Sequence, residues 1–307
     1  MRGPGLRSVG SLERGTVVGG YEVLGELCSG GMGQLYDVAD TTLGRRAVLK
    51  VLHDRHRGRH DYEARLREEA RLLAMLGDAR VPAVFAIGEV RQGQPYFVME
   101  RLWGRDLRKE LARLGVFSVP TAIRLTIDLL ETLTVIHARS IVHRDIKPEN
   151  LLLCDKGRLY LLDFGVARRT DFSLGLTRPG VAMGTLKWMA PEQIAGEDAD
   201  ERSDVYAAGL VLFEILTGRG PFDHLGPSAQ ALRIGHSTMT PPSASSCAPQ
   251  VVPGAVESIL AKALAKRAKD RFASARAMAD ALRDASGYGS DEGPTFVDPS
   301  TFREGAA

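Results

Sequence analysis

The spacing of apolar residues changes once along the chain, close to residue 100. Residues 21–51 alternate as strands do, interrupted by glycines, and residues 94–102 form another strand-like run. Beyond Leu107 the spacing is mainly helical. The clearest helical segments are 121–137, 205–216 and 256–264, with short strand-like pieces near Leu151 and Leu159.

This pattern predicts an α+β protein with two lobes. The predicted N-lobe is small and β-rich, over residues 21–102, and the predicted C-lobe is larger and helical, over residues 103–285. Residues 1–20 and 286–307 are rich in glycine and polar residues and have no periodicity, so they are predicted to be flexible tails.

A predicted helix over residues 60–76 carries a carboxylate on its inward face. The stripe at helical spacing contains Tyr62, Leu66, Glu69, Leu73 and Leu76. A carboxylate on such a stripe is costly unless a cation meets it, and Lys50 is the nearest strand-borne candidate. The alternative is a glutamate that lies partly exposed at the edge of the stripe.

A glycine-rich turn, CSGGMGQLY over residues 28–36, separates two strand-like runs. Glycines let a backbone approach phosphates and present its N–H groups to them. The turn is followed by a strand and lacks Gly-Lys-Ser/Thr, so it is neither a dinucleotide-binding fingerprint nor a P-loop. A tight hairpin that needs glycine only for its conformation is the alternative.

Two polar clusters interrupt apolar runs in the middle of the chain. The string IVHRDIKPEN, residues 141–150, brings Asp145, Lys147 and Asn150 into one short loop. Asp163 follows the apolar run 159–162, so a buried strand would deliver its carboxylate to a site. Mg²⁺ that is shared between a few protein oxygens and phosphate requires a set of this kind.

The composition excludes several classes of protein. Lys and Arg number 40 against 38 Asp and Glu, a net charge of +2, which argues against a nucleic-acid-coating protein. Three cysteines without short pairing exclude a disulfide scaffold and a cysteine zinc site. No secretory signal is visible, and the longest uncharged apolar run, 205–213, is far shorter than the roughly 18 residues of a membrane span. The expectation is a cytoplasmic protein.

In their order along residues 21–282, these motifs resemble the eukaryotic-type (Hanks-type) protein kinase family. Lys147 two residues after Asp145, and Gly184-Thr185 before Ala190-Pro191-Glu192, are the serine/threonine variant. The combination of GGMG at residues 30–33, Met99-Glu100 and WMAPE at residues 188–192 is most similar to bacterial members. The resemblance implies the two-lobed kinase fold and transfer of the ATP γ-phosphate to serine or threonine hydroxyls of proteins. It also implies Mg²⁺ as the metal, with Mn²⁺ as an alternative.

The resemblance assigns roles to individual residues. Asp145 would accept the proton of the substrate hydroxyl, and Lys147 would stabilise the transferred phosphate. The other catalytic positions it implies are Lys50 on the α- and β-phosphates, Glu69 as the partner of Lys50, and Thr185 in the substrate pocket. Asn150 and Asp163 would hold the metal. The implied ATP contacts are Leu27, Cys28, Ser29, Gly30, Gly31, Met32, Gly33, Leu35, Val48, Lys50, Met99, Glu100, Leu102 and Leu152.

Two positions depart from the family pattern. Cys28 replaces the first glycine of the loop, where an ordinary buried cysteine is favoured over a redox-sensitive thiol. Val48 replaces a small alanine over adenine, which predicts a tighter pocket. Two structural contacts are also implied: Glu192 should meet Arg271, and Asp204 should brace the backbone of the catalytic loop.

Regulation follows from the resemblance as well. Arg144 marks members that respond to a phosphorylated activation loop, and the candidate acceptors are Thr170, Ser173 and Thr177. Autophosphorylation, with a homodimer during that step, is implied. Two other functions stay open: a nucleotide-binding scaffold without turnover, and a kinase of small molecules.

Overall fold

The computed structural model describes residues 12–77, 80–90, 93–155, 157–164, 186–226 and 228–286. These residues form two compact units. The first, the N-lobe, contains the described residues up to Trp103 together with Asp163 and Phe164. The second, the C-lobe, contains residues Gly104–Leu162 and the described residues from 186 onward.

The N-lobe is built on a six-stranded antiparallel sheet with strand order β1-β2-β3-β4-β6-β5. The strands are β1 (Val17–Val18), β2 (Tyr21–Ser29), β3 (Gly33–Asp40), β4 (Arg46–Leu52), β5 (Val84–Glu89) and β6 (Pro95–Glu100). One face carries a buried apolar cluster that includes Val23, Tyr36, Val38, Leu49 and Val98. Helix α1 (His60–Leu76) packs on β4, β5 and β6.

The N-lobe sheet begins earlier than the predicted tail allows. Val17 and Val18 pair with Glu22 and Tyr21, and Val18 is buried. The two intervening glycines, 19 and 20, have φ values of 56° and 86°. Two left-handed residues are what a two-residue β-hairpin turn requires, so the Gly-Gly pair closes a hairpin where the composition alone predicts a flexible tail.

The C-lobe is mainly helical, with a small three-stranded antiparallel sheet. Its helices are α2 (Leu107–Leu114), α3 (Val119–His137), α4 (Pro191–Ala195), α5 (Glu201–Thr217), α6 (Ala229–Thr238), α7 (Gly254–Ala263) and α8 (Ala275–Ser286). Its strands are β7 (Gly104–Asp106), β8 (Leu151–Cys154) and β9 (Leu159–Leu161). Among the described residues, no helix combines the length and the apolarity that crossing a membrane requires.

Helix α5 is the centre of the C-lobe. All of its residues from Ser203 to Thr217 are buried, so it has no solvent-facing stripe, and α3, α7 and α8 pack around it. The Asp200 side chain caps its N-terminus by accepting from the Arg202 N–H, and Gly218 ends it in the left-handed conformation. Because Ser203 and Asp204 are already buried, α5 holds Asp204 rigidly within the lobe.

Candidate active site

Lys50 links two carboxylates within the N-lobe. It lies on β4 between Leu35 of β3 and Phe97 of β6, so its side chain projects from a central strand of the sheet. The Lys50 Nζ donates to Glu69 Oε1 at 2.6 Å and to Asp163 Oδ1 at 2.7 Å. Glu69 is 2% exposed on the inward face of α1, whereas half of the Asp163 side chain is accessible. The cation that the buried glutamate requires is therefore Lys50.

The electrostatics of this group favour a charged lysine. Burial acts to lower the pKa of Lys50, but the carboxylates of Asp163 and Glu69 outweigh it and hold that pKa above its ordinary value. Burial raises the pKa of Glu69; Lys50 opposes this rise and Asp163 adds to it. Two carboxylates thus share one ammonium group, and the cluster has an excess of negative charge when both are ionised.

The loop over residues 141–150 of the C-lobe gathers three of the predicted side chains. The Lys147 Nζ donates to Asp145 Oδ2 at 2.8 Å, and the Asn150 Nδ2 donates to the same oxygen at 3.1 Å and to the Asp145 carbonyl at 2.8 Å. A 3₁₀ turn, Pro148–Asn150, brings the asparagine back toward the aspartate. The Leu162 N–H donates to the Asn150 carbonyl at 2.8 Å. This bond joins the loop to the residue that follows β9 and precedes Asp163.

Asp204 fixes the backbone of this loop, as the sequence predicts. Its carboxylate accepts from the N–H groups of His143 at 2.8 Å and Arg144 at 2.9 Å. Arg144 has φ of +68°, a costly conformation for a residue other than glycine, and the buried carboxylate holds it there. His137 Nε2 lies 2.8 Å from Asp204 Oδ2, so this histidine at the end of α3 supports the site as well.

The glycine-rich turn lies between β2 and β3, with Leu27, Cys28 and Ser29 on β2 and Gly33 and Leu35 on β3. Gly30, Gly31 and Met32 connect the two strands. A Cβ on Gly33 would overlap the Val51 carbonyl oxygen, so only glycine fits there. Cys28 is exposed, and the expectation of a buried thiol is wrong because the end of β2 projects beyond the apolar cluster.

The remaining predicted ATP contacts lie on β4, β6 and β8, with Leu102 just beyond the end of β6. Val48 is buried on β4 and pairs with Met99 on β6, and Glu100 ends that strand. The Glu100 N–H donates to the Ala83 carbonyl at 2.8 Å, whereas the Leu102 carbonyl accepts from the Arg101 guanidinium at 2.5 Å. Leu152 lies on β8 of the C-lobe. Thr170, Ser173, Thr177 and Thr185 lie outside the described residues.

A buried ion pair joins α4 to the segment that precedes α8. Both guanidinium NH groups of Arg271 donate to the Glu192 carboxylate, at 2.7 and 2.8 Å, as predicted. Ser203 Oγ donates to the same carboxylate at 2.6 Å. Burial acts to raise the pKa of Glu192, but the hydrogen bonds from Arg271 and Ser203 outweigh it and lower that pKa. The pair is charged and bidentate.

Sequence reasoning missed a second buried charge cluster in the C-lobe. Glu214, 1% exposed on α5, accepts from both Arg108 NH groups, at 2.9 and 3.2 Å, and from Lys187 Nζ at 2.9 Å. Arg108 Nε also donates to Glu149, the neighbour of Asn150, at 2.9 Å. The sequence offers one signal for this cluster: Glu214 lies inside the apolar helical segment 205–216. As with Glu69, a buried carboxylate there predicts a cation as its partner.

Comparison with known proteins decides the family. The model of the family described as "Protein kinase domain" matches residues 21–282. The chain belongs to the protein kinase domain family. Members of this family use ATP with a divalent metal, typically Mg²⁺.

Curated relatives of this kinase-family chain are named as serine/threonine-protein kinases. "Probable serine/threonine-protein kinase PknB" of Corynebacterium glutamicum is 35% identical over 266 residues, which cover 84% of this chain and 41% of the relative. "Serine/threonine-protein kinase PknD" of Mycobacterium tuberculosis is 34% identical, with coverage of 88% and 40%. The chain therefore spans about two fifths of the length of these relatives.

Solved structures agree with the architecture. A crystal structure of the Mycobacterium tuberculosis PknI kinase domain superposes with a TM-score of 0.68 at 28% identity. The match covers 90% of this chain and 100% of that domain. The N-lobe sheet and the helical C-lobe together are the protein kinase fold, as the sequence predicts.

Proposed function

We propose that the chain is an ATP-dependent serine/threonine protein kinase, which transfers the γ-phosphoryl group of ATP to hydroxyl groups of protein substrates. The observation that carries this proposal is the bridge from Lys50 to both Glu69 and Asp163. In protein kinases, activity requires both the ion pair between the strand lysine and the helix glutamate and a metal-binding aspartate in place. The names of the curated relatives support the same activity.

The residues available to a metal fit Mg²⁺ bound together with phosphate. Asn150 and Asp163 offer an amide and a carboxylate oxygen, the hard ligands that Mg²⁺ prefers. The Asn150 Nδ2 already donates to Asp145, which leaves its Oδ1 to act as the acceptor. Half of the Asp163 side chain is accessible, and its Oδ1 is neutralised by a lysine shared with Glu69. When bound, the metal would neutralise charge on the transferring phosphoryl group.

Asp145 is the proposed acceptor of the substrate hydroxyl proton. Its Oδ2 takes hydrogen bonds from Lys147 and Asn150, so the orientation of the carboxylate is fixed before a substrate arrives. Proton transfer of this kind is worth roughly 10²–10⁴-fold in rate. Lys147 has a second role, because a cation beside the attacking oxygen also compensates charge on the phosphoryl group.

Lys50 is the proposed contact for the α- and β-phosphates. It is buried and held on two sides, so it loses little side-chain entropy when a phosphate binds. Glu69 then acts through Lys50 as a positioning residue. A Glu69→Gln variant should bind ATP more weakly, because the ammonium group loses one of its two anionic partners.

Protein substrates, autophosphorylation of the activation segment and a homodimer during that step are further parts of the proposal. Thr170, Ser173 and Thr177 are the proposed acceptors, with Arg144 as the partner of the phosphorylated residue and Thr185 in the substrate pocket. Transfer between two copies would make the rate of autophosphorylation per molecule rise with protein concentration. A rate per molecule that is independent of concentration would contradict the dimer.

The decisive test is intact-mass analysis of the purified chain before and after incubation with Mg·ATP. Wild type should gain the mass of one or more phosphoryl groups, and Asp145→Asn should gain none. Asp198→Asn, which removes an exposed carboxylate of the same lobe, is the matched control and should behave as wild type. Peptide mapping then identifies the phosphorylated residues, and a mixed serine/threonine protein substrate tests transfer to a second protein.

Thermal unfolding with and without Mg·ATP separates the alternatives. Stabilisation by ATP without any transfer would support a nucleotide-binding scaffold and contradict the kinase. Transfer to a small hydroxyl compound but to no protein would support the small-molecule kinase. Equal phosphorylation of Asp145→Asn and wild type would overturn the role of Asp145.

A further inference from the structure

The basic run HDRHRGRH over residues 53–60 contacts the glycine-rich turn. By composition it is expected to be a solvated connection between β4 and α1. In the N-lobe, however, its first residues form a 3₁₀ turn, Asp54–His56, directly beside the turn between β2 and β3. The His53 N–H donates to the Met32 carbonyl at 3.1 Å, which joins the two backbones.

Two side chains of this run donate to two adjacent glycine carbonyls, and a third orients one of these donors. His53 Nε2 lies 2.7 Å from the Gly30 oxygen, which makes Nε2 the protonated nitrogen of the ring. The Arg55 guanidinium donates to the Gly31 oxygen at 2.7 Å. Arg55 Nε also donates to His56 Nε2 at 3.2 Å, so this ring nitrogen is an acceptor that orients Arg55, 3.1 Å from the Gly31 oxygen. Both carbonyls of the glycine pair are therefore held from one side.

Holding the carbonyls also sets the direction of the amides. In a planar trans peptide the C=O and the following N–H point in opposite directions. With the Gly30 and Gly31 oxygens directed toward residues 53–56, the N–H groups of Gly31 and Met32 face the opposite side. Two successive N–H groups on one side of a glycine turn form an anion-binding concavity. A pair of glycines without such contacts would sample many peptide orientations.

The run is itself anchored to helix α1. The His56 ring stacks on Tyr62, with centroids 3.9 Å apart and planes 6° from parallel. Tyr62 lies two turns before Glu69 on the same helix. The connection thus joins the helix that supports Lys50 to the glycine turn, within one lobe.

We propose that His53, Arg55 and His56 form a clamp that holds the peptide units of Gly30 and Gly31 in the orientation that binds nucleotide phosphates. This inference rests on the proposed function, since it takes ATP as the ligand of the turn. The three side chains are positioning residues, because they act through the backbone of the turn. The clamp contributes to affinity for phosphates and leaves recognition of adenine to other residues.

Binding of Mg·ATP and of adenosine, measured by calorimetry, tests the clamp. His53→Ala and Arg55→Ala should each weaken Mg·ATP binding by about 2- to 10-fold, the worth of one hydrogen bond, and leave adenosine binding unchanged. His53→Gln should restore much of the affinity, since its amide nitrogen can reach the position of the ring Nε2. Arg57→Ala is the matched control: among the described residues, those two carbonyls accept from His53 and Arg55 but not from Arg57.

A second readout needs neither nucleotide nor activity. Hydrogen exchange of peptides that span residues 28–35 in the nucleotide-free protein should be faster in His53→Ala and Arg55→Ala than in wild type and Arg57→Ala. Unchanged exchange together with Mg·ATP affinity within twofold of wild type would overturn the clamp. An equal loss for adenosine, or an equal effect of Arg57→Ala, would also overturn it, in favour of a general structural or charge effect.

The two proposals fail in different ways. If the chain transfers no phosphate, the exchange and binding measurements still decide the clamp. If transfer occurs but these variants match wild type in both measurements, only the clamp is wrong. Where transfer occurs, the clamp variants should raise KM for ATP and change kcat by less than about twofold, the pattern expected when uniform binding is lost.

Discussion

Removing the Arg271 guanidinium tests the buried ion pair between Arg271 and Glu192 in the C-lobe. Arg271 is 4% exposed, and all five of its N–H donors have acceptors. Two are the oxygens of Glu192, and three are backbone carbonyls, of Ala265, Arg202 and Lys266. Arg271→Met keeps much of the apolar stem but deletes every one of these bonds.

The expected cost is about 3–5 kcal/mol of unfolding free energy, because Glu192 is left as a buried carboxylate without its cation. For a lobe of this size that corresponds to a fall in Tm of roughly 6–20 °C. Glu192→Met should cost a similar amount of unfolding free energy, since it leaves the buried Arg271 guanidinium without its carboxylate. The double variant should be more stable than the sum of the two losses by about 1–3 kcal/mol, because no unpaired charge is left behind.

Thermal and urea unfolding of the four proteins give this double-mutant cycle. Arg267→Met is the control, because the Arg267–Asp270 pair is exposed, and it should cost less than about 1 kcal/mol. The paired state also lowers the pKa of Glu192, so its stabilisation is present above the ordinary carboxyl pKa of 4.5 and is lost as the pH falls below it. A loss for Arg271→Met no larger than the control, or strictly additive losses, would refute the argument.

Three further changes have defined outcomes. Gly33→Ala should cost about 1–3 kcal/mol in thermal unfolding, because its Cβ would overlap the Val51 carbonyl. Asp204→Asn should cost about 1–3 kcal/mol in urea unfolding and reduce phosphoryl transfer, because one of its acceptor oxygens becomes a donor facing donors. Burial, aided by the Lys266 charge, lowers the pKa of His236 from 6.5 to about 3, so the folded state stays unprotonated where the unfolded chain takes a proton. Stability should therefore fall as the pH drops below about 6.5, by up to about 1.4 kcal/mol per pH unit, and His236→Gln should remove this slope in urea titrations at pH 5–7.

Matched variants make these three outcomes decisive. Gly25→Ala adds a Cβ on β2 with no atom within 4 Å and should be nearly neutral; a loss equal to that of Gly33→Ala would contradict the steric argument. Asp198→Asn should leave stability and transfer unchanged. If it had the same effect as Asp204→Asn, the loss would come from removing a negative charge and not from the hydrogen bonds of Asp204. His224→Gln removes an exposed histidine, and a slope abolished there instead would contradict the assignment to His236.

Local periodicity was enough to predict much of the fold. The stripe over residues 60–76 matches helix α1 at both ends, and its one polar member, Glu69, is buried against a lysine as expected. Helix α5 begins at Glu201 instead of the predicted 205, because its first turn is polar and adds nothing to the apolar pattern. Helix α8 was missed although Ala275, Met278, Ala279 and Leu282 form a helical stripe, since alanines contribute little to a hydrophobic pattern.

Local periodicity does not predict contacts between polar groups that are distant in the sequence. Glu214 gathers Arg108 and Lys187 from two other segments, and no period in the sequence relates these positions. The sequence by itself did determine that Asp145, Lys147 and Asn150 lie together, because the motif IVHRDIKPEN holds them within a few residues of each other. Only the tertiary structure decided that a run resembling a solvated loop reaches the glycine turn: His53 and Gly30 are 23 residues apart, and the pairing of β2, β3 and β4 brings them together.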